Sequence, residues 1–496
     1  MEFNLGFLDT SILFLYAAIL VGMGVYYCRK TKTADEFMVA GRSIPAWAAG
    51  IAVMSAYTSS ISYIAVPGKA YDSNWHPLVF VLCIPPVAWL VTKYVIPYYR
   101  REKLISVFSF LEGRLGPWAR IYAALSFVIY MIGRAAVIIY LASLLLTTFV
   151  PWDIRWVIIV IGIITVVYTL LGGMEAVIWT DVMQSIIMVG GLVFCVVMLS
   201  KSVLSGSEPL INKAVEANKF ALGEWDFSFS SRTVWVMIIY SLTENLRNLV
   251  ADQNYVQKYC SVADEKAAKR SLWISMAIYI PLTPVFLYIG TALFSYYGGD
   301  GNVLPAEITK GDQVFPYFIA TQLPIGIKGL MIAAILAAAM STIDSALNCS
   351  ATVLFIDFMK RFFAPNIGER QSVNFLRLMT VVWGILGIAF ALLMIKARSA
   401  LEIWWQISGI FGGGILGLFI LGFCRSKLKL WQGLVAILVS IVLISWITFG
   451  QGFDGSMECL KCSLDPIMAG VVGVVSLVIV GLLFGFFNKK VGEVTA

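Results

Sequence analysis

Long apolar stretches dominate this sequence and restrict the chain to one environment. Of its 496 residues, 59% are hydrophobic and 13% are charged, against about 25% charged residues in soluble domains. A membrane-spanning helix needs about 20 consecutive apolar residues. The sequence therefore predicts an all-α integral membrane protein with about thirteen transmembrane helices. The predicted spans are 11–28, 46–66, 77–98, 119–149, 154–171, 182–200, 232–250, 271–297, 326–357, 375–395, 401–423, 430–449 and 467–487.

The basic residues are distributed unevenly between the two sides of these spans. One set of alternating loops holds 23 of the 36 Lys and Arg residues, whereas the other set holds 11. The basic set comprises the loops 29–45, 99–120, 247–270, 358–377 and 424–429 and the tail at Lys489 and Lys490. Because cytoplasmic loops carry the positive excess, we predict a multi-pass protein of the cell membrane, the inner or plasma membrane of a bacterium. Its N-terminus would lie outside and its C-terminus in the cytoplasm, and the net charge of +7 would reflect this topology and not nucleic acid binding.

Polar residues interrupt two of the apolar stretches. In residues 46–68, hydroxyl side chains gather in the middle of the stretch, before Pro67. In residues 231–258, polar residues that include Glu244 and Arg247 break the hydrophobic run. Discontinuous helices expose backbone groups to ions and substrates, and a matching pair indicates an inverted repeat. Hydroxyl-rich helices also arise from close helix packing alone, and the sequence leaves both interpretations open.

A tight group of oxygen-bearing side chains lies inside the apolar stretch 331–358. It contains Ser341, Thr342, Asp344 and Ser345. A carboxylate at this depth costs several kcal/mol, roughly +2.5 to +3.5 on insertion scales, so it requires a partner, a cavity or an ion. Hard cations prefer oxygen ligands. We therefore expect a cation at this place.

Three motifs resemble the signatures of one transporter family. They are GGMEAVIWTDVMQ at 172–184, DQNYVQKY at 252–259 and AAAMSTIDSALN at 337–348. Their order and spacing resemble the sodium:solute symporter family over essentially the whole chain. The segments GRSIPAWAAG, SSIS and MIGRAAVIIYL are most similar to the bacterial sialic acid (N-acetylneuraminate) symporters of that family. The resemblance implies sodium-coupled import of a small organic solute, such as sialic acid or another acidic sugar, by alternating access.

The resemblance also implies a fold and a division of the chain. The fold would be the leucine-transporter type, in which five helices are related by a pseudo-two-fold axis to the next five. Residues 1–496 would form a single integral domain. Its first repeat would span about 46–200 and its second about 231–423, with flanking helices 11–28, 430–449 and 467–487.

Two sodium sites follow from the resemblance. The site shared within the family would use Ser55, Thr58, Ala338, Ser341 and Thr342. On a helix, Ala338 shares one face with Ser341 and Thr342, which agrees with this assignment. A second site would use Asp181, Ser341, Asp344 and Ser345. Asp344 departs from the hydroxyl residue of the sialic acid symporters, so an ion pair with a basic neighbour or a helix kink is the alternative role for it.

The substrate site implied by the resemblance centres on Arg134, which lies in the middle of an apolar span. A planar guanidinium matches a carboxylate bidentately, and Ser59, Ser60, Ser62 and Tyr57 would assist it. A structural ion pair between Arg134 and Glu175 or Asp181 is the alternative. Val81 stands where the sialic acid symporters have a polar amide, which leaves room for another acidic solute. His76, the one histidine, is predicted to be an interfacial residue.

Other functions remain as alternatives. A sodium symporter for a neutral sugar, a monocarboxylate or proline is the nearest one, and an ion channel or a sensor on the same fold belongs to a different class. The sequence has no Walker loop and no Ser/His/Asp set, so we expect no enzyme. The expected partners are sodium, a small solute and the lipid bilayer. Cys459 and Cys462 form a CxxC pair in a predicted external loop, where either free thiols or a disulfide are compatible with the sequence.

Overall fold

Helices form every named element of the structure in the residues that it describes. The structure is a computed structural model, and it describes residues 5–147, 149–150, 152–204, 210–298, 303–306, 308–396, 411–424, 428–452, 458 and 460–494. Cys459 lies outside these residues, so the structure does not test whether Cys459 and Cys462 are free thiols or a disulfide.

The helices are numbered along the chain. They are α1 Phe7–Cys28, α2 Ala34–Val39, α3 Ala46–Tyr57, α4 Ser60–Asp72, α5 Pro77–Leu82, α6 Ile84–Leu90, α7 Ile96–Arg101, α8 Ser109–Leu115, α9 Pro117–Leu146, α10 Ile154–Leu204, α11 Leu210–Glu216, α12 Val234–Leu246, α13 Gln253–Cys260, α14 Glu265–Tyr297, α15 Gly311–Gln322, α16 Ile327–Leu354, α17 Glu369–Met394, α18 Gly413–Phe423, α19 Leu430–Phe449 and α20 Ala469–Val494. Wider π-helical segments follow three of them, at Val91–Val95, Arg247–Ala251 and Phe355–Phe363.

The predicted number of thirteen spans is not confirmed. Within the described residues, nine helices are long and apolar enough to cross a membrane, or ten if α3 and α4 count as one broken span. Two predicted spans, 154–171 and 182–200, are joined in the 51-residue helix α10. At 1.5 Å per residue this helix is far longer than the roughly 30 Å hydrocarbon core, and its backbone leaves the helical conformation at Gly173. Residues 401–410 of the predicted span 401–423 lie outside the described residues.

The helix α16 occupies the centre of the molecule. The span Ile327–Phe363 consists of α16 and the π-helical segment that follows it, and 89% of the residues in its apolar window are buried. The corresponding share in α1 is 17%. Its N-terminus is held by α1, because Oδ1 of Asp9 accepts hydrogen bonds from the N–H groups of Gly326 at 2.7 Å and Gly329 at 2.8 Å. These bonds satisfy donors that a helix start leaves unpaired. The polar group of residues 341–345 therefore lies in the core and not at the lipid surface.

The predicted break in residues 46–68 is confirmed. α3 ends at Tyr57, Thr58 and Ser59 have extended backbone conformations, and α4 begins at Ser60. The helical parts Ala46–Tyr57 and Ser62–Asp72 are bent by 53° relative to each other. Extended backbone at this depth leaves peptide groups available for ligands.

The second predicted break, in residues 231–258, is confirmed as well. α12 ends at Leu246 and passes through the π-helical segment Arg247–Ala251 to Asp252, which is extended. Asp252 then starts α13, since its side chain accepts a hydrogen bond from the N–H of Asn254. Both breaks lie in helices that pack against each other through α3 and α13.

Candidate functional site

One half of the predicted sodium site is formed by α16. The hydroxyl groups of Ser341 and Thr342 both donate to the carbonyl oxygen of Ala338, at 3.1 and 3.2 Å. All three residues are buried. Because the hydroxyl protons point at the carbonyl, lone pairs of the two hydroxyl oxygen atoms remain for a cation, whereas the Ala338 carbonyl oxygen is occupied as an acceptor in this arrangement. These neutral oxygen atoms suit a monovalent ion.

The other half lies at the end of α3. The carbonyl oxygen of Ser55 accepts a hydrogen bond from the N–H of Thr58 at 3.1 Å, and both residues are buried. α3 packs directly against α16. The five predicted residues thus lie on α16, near the end of α3 and in the break that follows it, and α3 and α16 contact each other. The oxygen atoms of these residues are compatible with sodium.

The carboxylate predicted for a second sodium ion has a cationic partner in the protein. Oδ2 of Asp181 accepts a hydrogen bond from Nζ of Lys258 at 2.9 Å, and Ser55 donates to Oδ1 at 3.3 Å. Lys258 also donates to the carbonyl oxygen of Ala52 at 3.1 Å. The count of basic loop residues assigns Lys258 to the loop 247–270. This assignment is wrong for Lys258, because its side chain is fully buried on α13.

Asp344 is surrounded by hydroxyl groups. Its Oδ2 accepts hydrogen bonds from Tyr168 at 2.8 Å and Thr180 at 3.5 Å, and its Oδ1 accepts one from Ser345 at 3.2 Å. Ser345 is also bonded to the carbonyl oxygen of Ser341 at 2.8 Å. In the part of the chain that the structure describes, Asp344 forms no ion pair, so the alternative role as a partner of a basic residue is not observed.

A cavity of about 180 Å³ lies between the two broken helices. Of the predicted substrate residues, three line this cavity: Tyr57, Ser59 and Arg134. The whole set of lining residues is Tyr57, Ser59, Phe80, Tyr130, Arg134, Val137, Ile138, Tyr240, Glu244, Arg247, Asn248 and Tyr255. The cavity therefore combines aromatic walls with a few charged groups, as small-molecule sites commonly do.

Arg134 contributes a guanidinium that the protein leaves largely without partners. Its one hydrogen bond to a described residue runs to the carbonyl oxygen of Ala56 at 3.2 Å. The two alternative ion-pair partners are engaged elsewhere, since Glu175 faces Lys30 at 3.9 Å and Asp181 binds Lys258. Arg134 is thus available to an anion in the cavity.

Four residues singled out in the sequence do not line the cavity. Ser60 is fully buried and its hydroxyl has no partner among the described residues, and Ser62 accepts a hydrogen bond from the N–H of Ser59 at 3.3 Å at the start of α4. Val81 is buried elsewhere in α5. His76 precedes α5, and burial lowers its pKa to about 4 with Lys69 and Arg232 acting in the same direction. The structure therefore brings Tyr57, Ser59 and Arg134 together without Ser60, Ser62 or Val81.

Sequence reasoning missed the contribution of the second broken helix to the cavity. Glu244 and Arg247 interrupt an apolar run, and that signal predicts the break but not its role in binding. Arg247 donates to both carboxylate oxygens of Glu244, to the hydroxyl of Tyr130 at 3.1 Å and to Oδ1 of Asn248 at 3.2 Å. Like Lys258, Arg247 is buried and does not belong to a cytoplasmic loop.

Comparison with known proteins gives one consistent result. The sequence model of the sodium:solute symporter family matches residues 37–440. The chain is 34% identical over 485 residues to the sodium/sialic acid symporter SiaT of Proteus mirabilis, covering 97% of this chain and 95% of that protein. It is 32% identical over 489 residues to the sodium/sialic acid symporter NanT of Aliivibrio fischeri, covering 97% and 93%. The solved structure of a Na⁺-coupled sialic acid symporter in a substrate-bound outward-open state aligns with a TM-score of 0.89 at 33% identity, covering 97% of this chain and 98% of that one.

Proposed function

Because the chain belongs to the sodium:solute symporter family and has the leucine-transporter-type fold, we propose that it imports sialic acid or another acidic sugar together with sodium. The chain is a membrane transporter and not an enzyme, and sodium is the co-transported ion. The binding site between two discontinuous helices suits alternating access, in which the two sides of the membrane reach the site in turn.

Arg134 is the observation that supports the acidic substrate. A guanidinium cannot lose its proton in a protein and therefore needs an anion or extensive hydrogen bonding when it is shielded from water. Arg247, the other guanidinium of the cavity, already faces both oxygens of Glu244. Arg134 has one hydrogen bond, to Ala56. A substrate carboxylate supplies the anion that Arg134 lacks.

We assign the coupling sodium ion to the oxygen atoms of α3 and α16. Its ligands are Ser55, Thr58, Ala338, Ser341 and Thr342. A second ion at Ser341, Asp344 and Ser345 is part of the proposal, and Asp181 joins that site only when Lys258 has moved away from it. The close grouping of Ala338, Ser341 and Thr342 on one buried face of α16, next to α3, supports the first assignment.

We also propose the division and the orientation of the chain. The first repeat spans about 46–200 and the second about 231–423, which places one broken helix near the start of each repeat. The excess of Lys and Arg in alternating loops supports an external N-terminus and a cytoplasmic C-terminus. In a bacterial host, alkaline phosphatase fused to the C-terminus should be inactive and green fluorescent protein should fluoresce there. The opposite result would reverse the orientation.

Uptake into proteoliposomes tests the function. With an inward sodium gradient, radiolabelled N-acetylneuraminate should accumulate saturably, and other acidic sugars should compete with it better than glucose, pyruvate or proline. No accumulation should occur when potassium replaces sodium. If a neutral sugar, pyruvate or proline accumulates and the acidic sugar does not, the proposed substrate is wrong. A sodium current without accumulation would favour a channel.

A further inference from the structure

The cavity has a second polar region besides Arg134. Glu244, Arg247 and Asn248, all near the second break, line it together with the aromatic residue Tyr240. The side chain of Arg247 is 7% exposed and that of Glu244 is 25% exposed. The pair is therefore asymmetric, since the guanidinium is enclosed while the carboxylate retains access to the cavity.

Arg247 holds the Glu244 carboxylate in a fixed orientation. Its Nε donates to Oε2 at 3.0 Å, and its terminal nitrogen donates to Oε1. The remaining hydrogen bonds of that terminal nitrogen run to Tyr130 and Asn248. Two-point pairing between Arg and a carboxylate fixes geometry as well as charge. The Nε and one terminal nitrogen of Arg247 are therefore engaged by Glu244, Tyr130 and Asn248, and the other terminal nitrogen lies 3.8 Å from Oδ2 of Asp252.

The Glu244 carboxylate still has acceptor capacity. An ionised carboxylate has about four lone-pair positions, and Arg247 uses two of them. In the same cavity, the hydroxyl of Tyr57 is buried and has no hydrogen-bond partner among the described residues, although the ring packs between Tyr255 and Tyr279. Buried polar groups are normally hydrogen-bonded. The Glu244 carboxylate can therefore accept further hydrogen bonds from a ligand, and the Tyr57 hydroxyl can donate one or accept one.

We propose that Glu244, positioned by Arg247, determines which carboxylic acids the site accepts. This inference rests on the proposed function, in which Arg134 binds the substrate carboxylate. Glu244 then accepts hydrogen bonds from hydroxyl or N–H groups in another part of the same substrate. The site then binds carboxylic acids that carry several hydroxyl or N–H groups. It excludes dicarboxylates, because a second carboxylate would face Glu244, and it disfavours simple monocarboxylates, because they leave Glu244 without a donor.

Competition and uptake by the full-length chain in proteoliposomes test this assignment. In the wild type, excess succinate or pyruvate should leave sodium-driven N-acetylneuraminate uptake nearly unchanged. Glu244→Gln should lower kcat/KM for N-acetylneuraminate about tenfold or more, as expected for the loss of a hydrogen bond to a charged group, and succinate should become an inhibitor. Arg247→Lys should shift the same selectivity ratio in the same direction, because an ammonium lacks the two-point grip on Glu244.

Two further variants separate specificity from general damage. Glu216→Gln alters an exposed carboxylate on α11 and should match the wild type. Glu244→Asp keeps the charge and should keep succinate excluded.

If the wild type takes up N-acetylneuraminate but Glu244→Gln has the same selectivity as the wild type, the inference about Glu244 fails while the proposed function stands. If Glu244→Gln does not fold, effective inhibition of the wild type by succinate overturns the inference and the absence of inhibition supports it. Absence of sodium-driven uptake of any acid by the wild type overturns the proposed function itself.

Discussion

The ammonium group of Lys258 lies 2.9 Å from the carboxylate of Asp181, and both side chains are completely shielded from solvent. Lys258 also donates to the carbonyl oxygen of Ala52 on α3, and Ser55 donates to the same Asp181 carboxylate. The pair therefore connects α13, α10 and α3 immediately beside the proposed sodium site. A motion that separates α13 from α10 has to break this ion pair, and a motion that separates α13 from α3 has to break the hydrogen bond from Lys258 to Ala52.

Removing one member of this pair should destabilise the protein far more than removing both. Lys258→Met or Asp181→Asn leaves one polar or charged group buried without its partner, which costs about 3–5 kcal/mol for a broken buried pair. The double variant removes both charges and should recover most of the loss. Thermal unfolding of the purified protein in detergent measures the effect. Additive losses in the double variant would show that the two residues act independently.

The sodium assignment predicts a change in sodium dependence without a change in folding. Ser341→Ala and Thr342→Ala each remove one hydroxyl ligand, so the sodium concentration for half-maximal uptake should rise several-fold. Expression and thermal stability should stay near wild type. Ser350→Ala, another buried hydroxyl residue on α16, is the matched control. If sodium activation is unchanged in both variants, these hydroxyl groups are not ligands.

Asp344 should act on sodium rather than on the solute. In Asp344→Asn, the steepness of sodium activation or the sodium-to-substrate ratio should fall more than the substrate affinity, because the lost charge lies among the hydroxyl groups of Tyr168, Thr180 and Ser345. Tyr168→Phe removes a hydrogen bond but no charge and should change the steepness less. Sodium activation curves and flux ratios in proteoliposomes provide the measurement. Normal coupling in Asp344→Asn would assign the carboxylate a structural role.

The positions of the two breaks could be predicted from sequence because burying polar groups in lipid is costly. Hydroxyl residues around Thr58 and charged residues around Arg247 have no reason to interrupt apolar runs unless the protein surrounds them. The group at Ser341 and Asp344 is predictable on the same ground. These are local signals, and they identify elements without identifying their partners.

The partners depend on tertiary contacts that no local pattern contains. Asp181 and Lys258 are 77 residues apart, and a lysine after an apolar segment has the same appearance as a cytoplasmic loop residue. Glu244 and Arg247 likewise indicate a break, whereas their place in the cavity depends on the approach of Arg247 to Tyr130 on α9, which also carries Arg134. The count of thirteen spans is not confirmed for a related reason, since α10 contains two predicted apolar stretches on either side of the break at Gly173.

We expect Arg134 to decide the class of substrate. Its guanidinium has one hydrogen bond, to Ala56, and no ion pair among the described residues, so a bound carboxylate should supply its missing anion. Arg134→Ala should reduce N-acetylneuraminate uptake to background. Arg134→Lys should recover little, because an ammonium lacks the planar pair of donors that matches a carboxylate. Arg155→Ala removes an arginine side chain that is 73% exposed and should transport normally. If Arg134→Ala transports like the wild type, or the wild type moves only neutral sugars, the substrate is not held by this arginine and the acidic-sugar assignment fails.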